Sequence, residues 1–239
     1  MLSCVINPSA HKGDPRLPPT GILAVNPSDS SCLAEFSKHY QLRQHFLFNS
    51  RLYSNDFLFL AGPAVGAPMA ALCLEKLIAL GARNIVVYGW CGSLSPFLAA
   101  GDLFLPTSGL SEEGTSGHYP VPKDRQEDSL FHRSLLQQLQ HHGHNPQQGS
   151  IWTIDAVYRE TREKVERYAA QGILAVDMEY TALRTVAAFR QVDLAAVMLV
   201  SDELFHHPWT PKFSQKRFRT ASATILAELC TLVQSGELQ

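Results

Sequence analysis

Residues 172–204, GILAVDMEYTALRTVAAFRQVDLAAVMLVSDEL, constrain the fold more than any other part of the chain. Residues 172–176 are a short apolar run, residues 177–191 alternate apolar and polar groups at helical spacing, and residues 192–200 are a second apolar run. That is the pattern of a strand, a helix and a second strand. Strands that are apolar along their whole length belong in a parallel sheet covered on both faces, where the carboxyl ends of the strands share one edge. Asp177 and Glu179 are then expected near Ser201 and Asp202, in the crevice where open α/β sheets bind ligands. A carboxylate that follows a buried strand also caps the next helix, and Asp177 suits that role.

The rest of the chain agrees with one core of this kind. At 239 residues it can bury a sizeable core and needs no second one, so residues 1–239 are expected to form a single domain. Residues 1–20, rich in Pro and polar groups, read as an arm. A formal net charge of -2, with no basic stripe, argues against a nucleic-acid or polyanion partner. Cys4, Cys32, Cys73, Cys91 and Cys230 show no tight spacing and are odd in number, as reduced thiols of a cytoplasmic chain would be. The first apolar run is broken by Asn7 and Pro8, so no secretory signal is read, and no apolar run is long enough to suggest a membrane.

Residues 21–26 read as a first strand, followed by Pro27-Ser28-Asp29-Ser30-Ser31, a turn rich in helix-capping groups. Residues 41–48 and 57–61 read as further strands with Arg51 between them. Gly66-Ala67-Pro68 opens a helix whose buried face is Ala71, Leu72, Leu74, Leu77, Ile78 and Leu80. Residues 84–88 have the continuous apolar character of a central strand, and Gly89-Trp90-Cys91-Gly92-Ser93-Leu94 reads as a loop whose glycines let a ligand approach backbone N–H groups. It lacks the third glycine and the acidic partner of a dinucleotide fingerprint. Residues 127–142 form an amphipathic helix, residues 149–155 a strand, and residues 213–234 the final helix. His141, His142 and His144 lack a fourth ligand, so no metal is expected.

Four separated motifs are similar to those of the nucleoside phosphorylase family, which contains purine nucleoside phosphorylases, uridine phosphorylases and methylthioadenosine nucleosidases. They are Val176-Asp177-Met178-Glu179, Val200-Ser201-Asp202, the helix from Gly66 to Leu77, and the segment from Gly89 through Pro106, which continues to His118-Tyr119-Pro120. The resemblance implies a three-layer α/β/α sandwich with a mixed central sheet, and cleavage of the N-ribosidic bond of a nucleoside without a cofactor, phosphate being the co-substrate of a phosphorylase. It places Met178 and Glu179 at the ribose, Asp202 as general acid to the base, and Val157, Tyr158 and Ser201 around the base. Gly89, Trp90, Cys91 and Gly92 would hold the phosphate or nucleophile, with Arg159 and, from a neighbouring subunit, Arg51. His11 would reach a neighbour's ribose, and such shared sites imply a homodimer or homohexamer.

The chain departs from the family at the anion. The family's Gly and Arg after the first strand, an Arg near Val87 and a Ser or Thr near Trp90 are all missing, and Met69 stands where a Ser is usual. The acids make chemical sense without any resemblance. Breaking a ribosidic bond leaves positive charge on the sugar and negative charge on the base, so one carboxyl must protonate the base while another fixes the sugar hydroxyls. The presence of Asp202 favours a purine. Phosphorolysis ranks slightly ahead on the expectation that Arg51 and Arg159 rebuild the anion site. Hydrolysis by water and nucleoside binding without turnover are the alternatives.

Overall fold

The computed structural model describes residues 4–121, 129–209 and 211–238. Its centre is a strand, residues Asn84–Ser93, numbered β5 in chain order. Ile85 and Val87 face one apolar layer while Val86 and Tyr88 face the other, which is why this segment is apolar without alternation. The strands before it are β1 (Thr20–Ala24), β2 (Arg43–Leu47), β3 (Ser50–Ser54) and β4 (Phe59–Gly62). After it come β6 (Leu103–Ser111), β7 (Gln147–Thr153), β8 (Ile173–Asp177) and β9 (Asp193–Glu203).

Among the described residues, nine strands form one mixed sheet in the order β2-β3-β4-β1-β5-β8-β7-β6-β9. β9 also pairs with β5, so the strands β5, β8, β7, β6 and β9 close on themselves as a barrel, with β1 to β4 as an open extension. Six helices cover the sheet: α1 (Ser30–His39), α2 (Ala67–Leu80), α3 (Leu130–His141), α4 (Arg162–Ala170), α5 (Tyr180–Arg190) and α6 (Lys216–Gln234). α2 and α5 pack on one face, α1, α3 and α6 on the other, and α4 covers Trp152 and Val176 at one end. The expected layered α/β/α architecture with a mixed sheet is what the chain adopts. The first residues of the helix expected at 127–142 lie outside the described residues.

Three local expectations are corrected. β8 and β9 flank β5 from opposite sides, and β8 runs antiparallel to β5 while β9 runs parallel to it, so the two are not neighbours in a parallel sheet. Curling of the sheet into a barrel is the reason, because the helix between them spans the barrel instead of one crossover. Second, residues 89–93 are strand and not loop, since β9 continues the ladder beside them from Gly89↔Met198 to Ser93↔Glu203, with an irregularity between Cys91 and Gly92. Third, Leu72 is 47% exposed and does not join the buried face of α2, although Ala71, Leu74, Leu77 and Leu80 do.

Residues 4–14 lie along the surface, and the arm is tied to α2 where Lys76 Nζ donates to Asp14 Oδ2 at 2.6 Å and to the Ser9 carbonyl at 2.8 Å. Among the described residues, no helix is long and apolar enough to cross a membrane.

Candidate active site

The barrel brings the two acidic motifs together in a way the parallel arrangement would not. Gly92 of β5 pairs with Val176 at the end of β8 on one side and with Asp202 at the end of β9 on the other. A Cβ there would lie 2.3 Å from Leu204 Cδ1 and 3.2 Å from Val176 Cγ1, so any larger residue would have to displace the Leu204 side chain. The strand tips carrying Asp177 and Asp202 thus meet across one residue.

Asp177 is 5% exposed and fully used by the protein. Thr153 Oγ1 donates to its Oδ1 at 2.6 Å, and the backbone N–H groups of Glu179 and Tyr180 donate to its Oδ2 at 3.1 and 2.6 Å. It therefore opens α5 as a cap, the role its position suggested. Glu179, 6% exposed, accepts the Gly66 N–H on Oε1 at 2.6 Å, which docks the loop before α2 onto it. Burial pushes the Glu179 carboxyl well above the usual carboxylate range, and repulsion from Asp177 adds to the shift. Met178 between them is half-buried.

Asp202 is half-buried, and both its oxygens are engaged. The Ser201 hydroxyl lies 2.6 Å from Oδ1 and 3.1 Å from the Cys91 carbonyl, sharing one proton between them, while Trp209 Nε1 donates to Oδ2 at 2.8 Å. Trp209 is 55% exposed, so this last bond can open without disturbing the core. The Cys91 thiol is held in its neutral form by burial and by the nearby charges of Asp177 and Asp202, which removes it as a nucleophile.

The positions at which the family would hold an anion are filled by the protein itself. Val87 is fully buried in the core. Trp90 packs edge-on against Phe218, with ring centres 4.9 Å apart, and stacks near Phe213 at 6.4 Å. Its Nε1 donates to Ser222 Oγ at 3.0 Å, the Tyr88 hydroxyl lies 2.8 Å from the same oxygen, and Ser222 Oγ donates to Asp29 Oδ1 at 2.9 Å. Asp29 is 2% exposed, and its Oδ2 is buried without a hydrogen-bond partner among the described residues. Burial raises its pKa to about 6. A carboxyl group sits one hydroxyl away from Trp90, in the turn that follows β1.

The remaining expected residues do not gather at this centre. Tyr158 is 97% exposed and Val157 47%, because the turn after β7 directs them to solvent. Arg51 lies in β3 and lines a cleft of about 450 Å³ with Ser30, Ser31 and Pro63. Arg159 lines a different cleft of about 410 Å³ with Glu112, Asp155 and Lys164, so within one chain the two arginines lie apart. His11 lines a cavity of about 1060 Å³ with Phe46, Phe48, Tyr119 and other arm residues, and neither Glu179 nor Asp202 is on its wall. Gly89 is ladder backbone in which a Cβ would come within 2.8 Å of Val25 Cγ2.

Sequence reasoning missed Asp29 and Glu160. Glu160 follows the turn after β7 and is partly buried, and the charges of Asp202 and Asp177 both act on it. Nothing in the sequence distinguished it from the other charges of Arg159-Glu160-Thr161-Arg162-Glu163, whereas Asp29 was visible only as a helix-capping candidate.

The profile of the phosphorylase superfamily matches residues 29–234. The chain belongs to this superfamily. Among relatives, it is 28% identical over 155 residues to a DeoD-type purine nucleoside phosphorylase of Caldanaerobacter subterraneus, covering 64% of this chain and 67% of that protein. It is 27% identical over 167 residues to a guanosine phosphorylase of Halorubrum lacusprofundi, covering 69% and 68%. In fold it is similar to the AMP nucleosidase of Bacteroides thetaiotaomicron, with a TM-score of 0.73 at 21% identity, covering 92% of this chain and 91% of the other. The relatives by sequence are thus named as phosphorylases, while the fold is shared with a nucleosidase.

Proposed function

We propose that this chain cleaves the N-ribosidic bond of a purine nucleoside, with Asp202 protonating the departing base, Glu179 holding the ribose hydroxyls and water taking the sugar. The observation that carries the choice of water is the filling of the anion side by Val87, Trp90 and Asp29. A phosphate dianion entering there would meet a buried carboxyl and no cation from these three positions. Sequence ranked phosphorolysis first because Arg51 and Arg159 were expected to rebuild the anion site. Within one chain the two line separate clefts, so a single chain brings neither of them beside the other at this anion side.

On the other side, the arrangement suits the chemistry. Base binding would displace the Trp209 indole from Asp202 Oδ2, leaving an acid oriented by Ser201 beside the leaving nitrogen. Glu179 is held by the Gly66 N–H, and its raised pKa lets its carboxyl donate to one sugar hydroxyl and accept from the other. Met178 supplies apolar contact to the sugar face. No cofactor or metal has a role in this scheme. The sequence relatives named as phosphorylases favour the second reading, phosphorolysis with phosphate as co-substrate. A site shared with a neighbouring subunit through His11 and Arg51, in a homodimer or homohexamer, belongs to that reading.

Incubating a panel of nucleosides with the protein and identifying the sugar tests the proposal. Free base with free ribose is expected from purine nucleosides. Free base with ribose 1-phosphate, formed only when phosphate is present, would establish the second reading, and no base from any nucleoside would leave only binding.

A further inference from the structure

Trp209 is a largely exposed indole whose one polar group is spent on Asp202, its Nε1 donating to Oδ2 at 2.8 Å. A ring this exposed can give its N–H to water, so the bond fixes where the indole rests and is not needed to satisfy a buried donor. The loop that carries it is pinned at both ends to the strands of the site. The backbone N–H of Leu204 donates to the Ser93 carbonyl of β5 at 2.8 Å, and that of Lys212 to the Ser201 carbonyl of β9 at 2.9 Å. From between these anchors the indole leans on Phe213, with ring centres 6.2 Å apart, and Phe213 in turn stacks near Trp90.

The group that occupies Asp202 has the outline of a purine. Indole is a fused five- and six-membered aromatic system with a single N–H, carried on the five-membered ring, and it can only donate. A purine just protonated at N7 has the same fused rings and an N–H on the same smaller ring, and the carboxylate that gave up the proton accepts that N–H. Resting on the reading of Asp202 as the proton donor to the base, we propose that Trp209 is a built-in competitor for the base. In the empty chain the indole stands where the released purine would stand, and it must swing out on its pinned loop before a base reaches Oδ2. Opening breaks one hydrogen bond at the surface and leaves the Ser201 contacts to Asp202 Oδ1 and the Cys91 carbonyl in place. Every base then binds with its intrinsic affinity scaled by the fraction of chains in which the loop is open.

The test measures adenine and hypoxanthine binding by calorimetry, and KM for adenosine and inosine, in the wild-type chain, Trp209→Phe and Trp209→Ala. The first variant keeps a ring that can lean on Phe213 but has no N–H, and the second removes the ring as well. Both are expected to tighten base binding by about three- to tenfold, the size of one exposed hydrogen bond to a carboxylate, and to lower KM. In the wild type, adenine should shift the indole emission toward that of tryptophan in water, a change absent from both variants. Dissociation constants unchanged in both variants overturn the proposal. So does weaker binding in both, which would make the indole part of the base's own wall, and so does failure of every chain to bind either base. Tighter binding in the variants with no base released from any nucleoside keeps the competitor and sinks the enzymatic reading, whereas wild-type turnover with constants unmoved by either substitution sinks the competitor alone.

Discussion

The two flanks of the carboxyl end of β5 are built on opposite principles. On the β8 and β9 side, Asp177 is spent on three bonds as a helix cap, Glu179 takes one from the Gly66 N–H, and Asp202 is held in part by the exposed Trp209, which can step aside. On the β1 and α6 side, Trp90, Tyr88, Ser222 and Asp29 bond to one another and the apolar groups around them are closed. The contrast separates residues kept for a ligand from residues turned inward to hold the fold. On the proposed reading one half acts on a base and a sugar, while the other has become core.

The sharpest way to break this contrast is on the chemical side. Asp202→Asn keeps the shape and the Trp209 contact but cannot deliver a proton, so base release should fall at least about a hundredfold while nucleoside binding changes little. Steady-state rates with calorimetric binding check it, and wild-type turnover would remove Asp202 from the mechanism. On the closed side, Trp90→Ala should act on stability, costing about 2–4 kcal/mol in denaturant unfolding through the lost packing on Phe213 and Phe218. A cost under about 0.5 kcal/mol would mean that the indole is not part of the core.

Asp29 sharpens the comparison through pH. Its folded pKa, about 6, is above the ordinary 3.8, so the folded state binds the extra proton between those values. The stabilising contribution is therefore complete below about pH 4 and is lost as pH rises through about 6, amounting to roughly 2–3 kcal/mol. Asp29→Asn should remove that slope from the stability curve between about pH 4 and 7, measured by thermal or urea unfolding. A variant that keeps the wild-type slope would show that Asp29 is ionised in the folded chain like any surface acid.

Much of this was legible in the sequence because it depends on periodicity. The apolar runs at 84–88, 172–176 and 192–200 and the cap at Asp177 all follow from side-chain alternation and helix-start chemistry, and each stands where expected. The meeting of the strand tips that carry Asp177 and Asp202 was also expected, but by the wrong geometry. Barrel closure depends on β9 pairing with β5 and β6 at once, a long-range register that no local pattern encodes. Side-chain direction in turns was equally hidden: within Val157-Tyr158-Arg159-Glu160 the aromatic residue faces solvent and the acid turns inward, the reverse of what residue type suggests. The loss of the family's arginines was visible, whereas the Trp90–Ser222–Asp29 network that replaces them joins residues 132 and 193 positions apart.

The rate of base release from a purine nucleoside, as phosphate is titrated from none to saturation, decides which molecule takes the sugar. A rate that is already full without phosphate and stays flat, with free ribose as the sugar product throughout, is the expected result. A rate that starts near zero and rises to a plateau with phosphate, yielding ribose 1-phosphate, would contradict it.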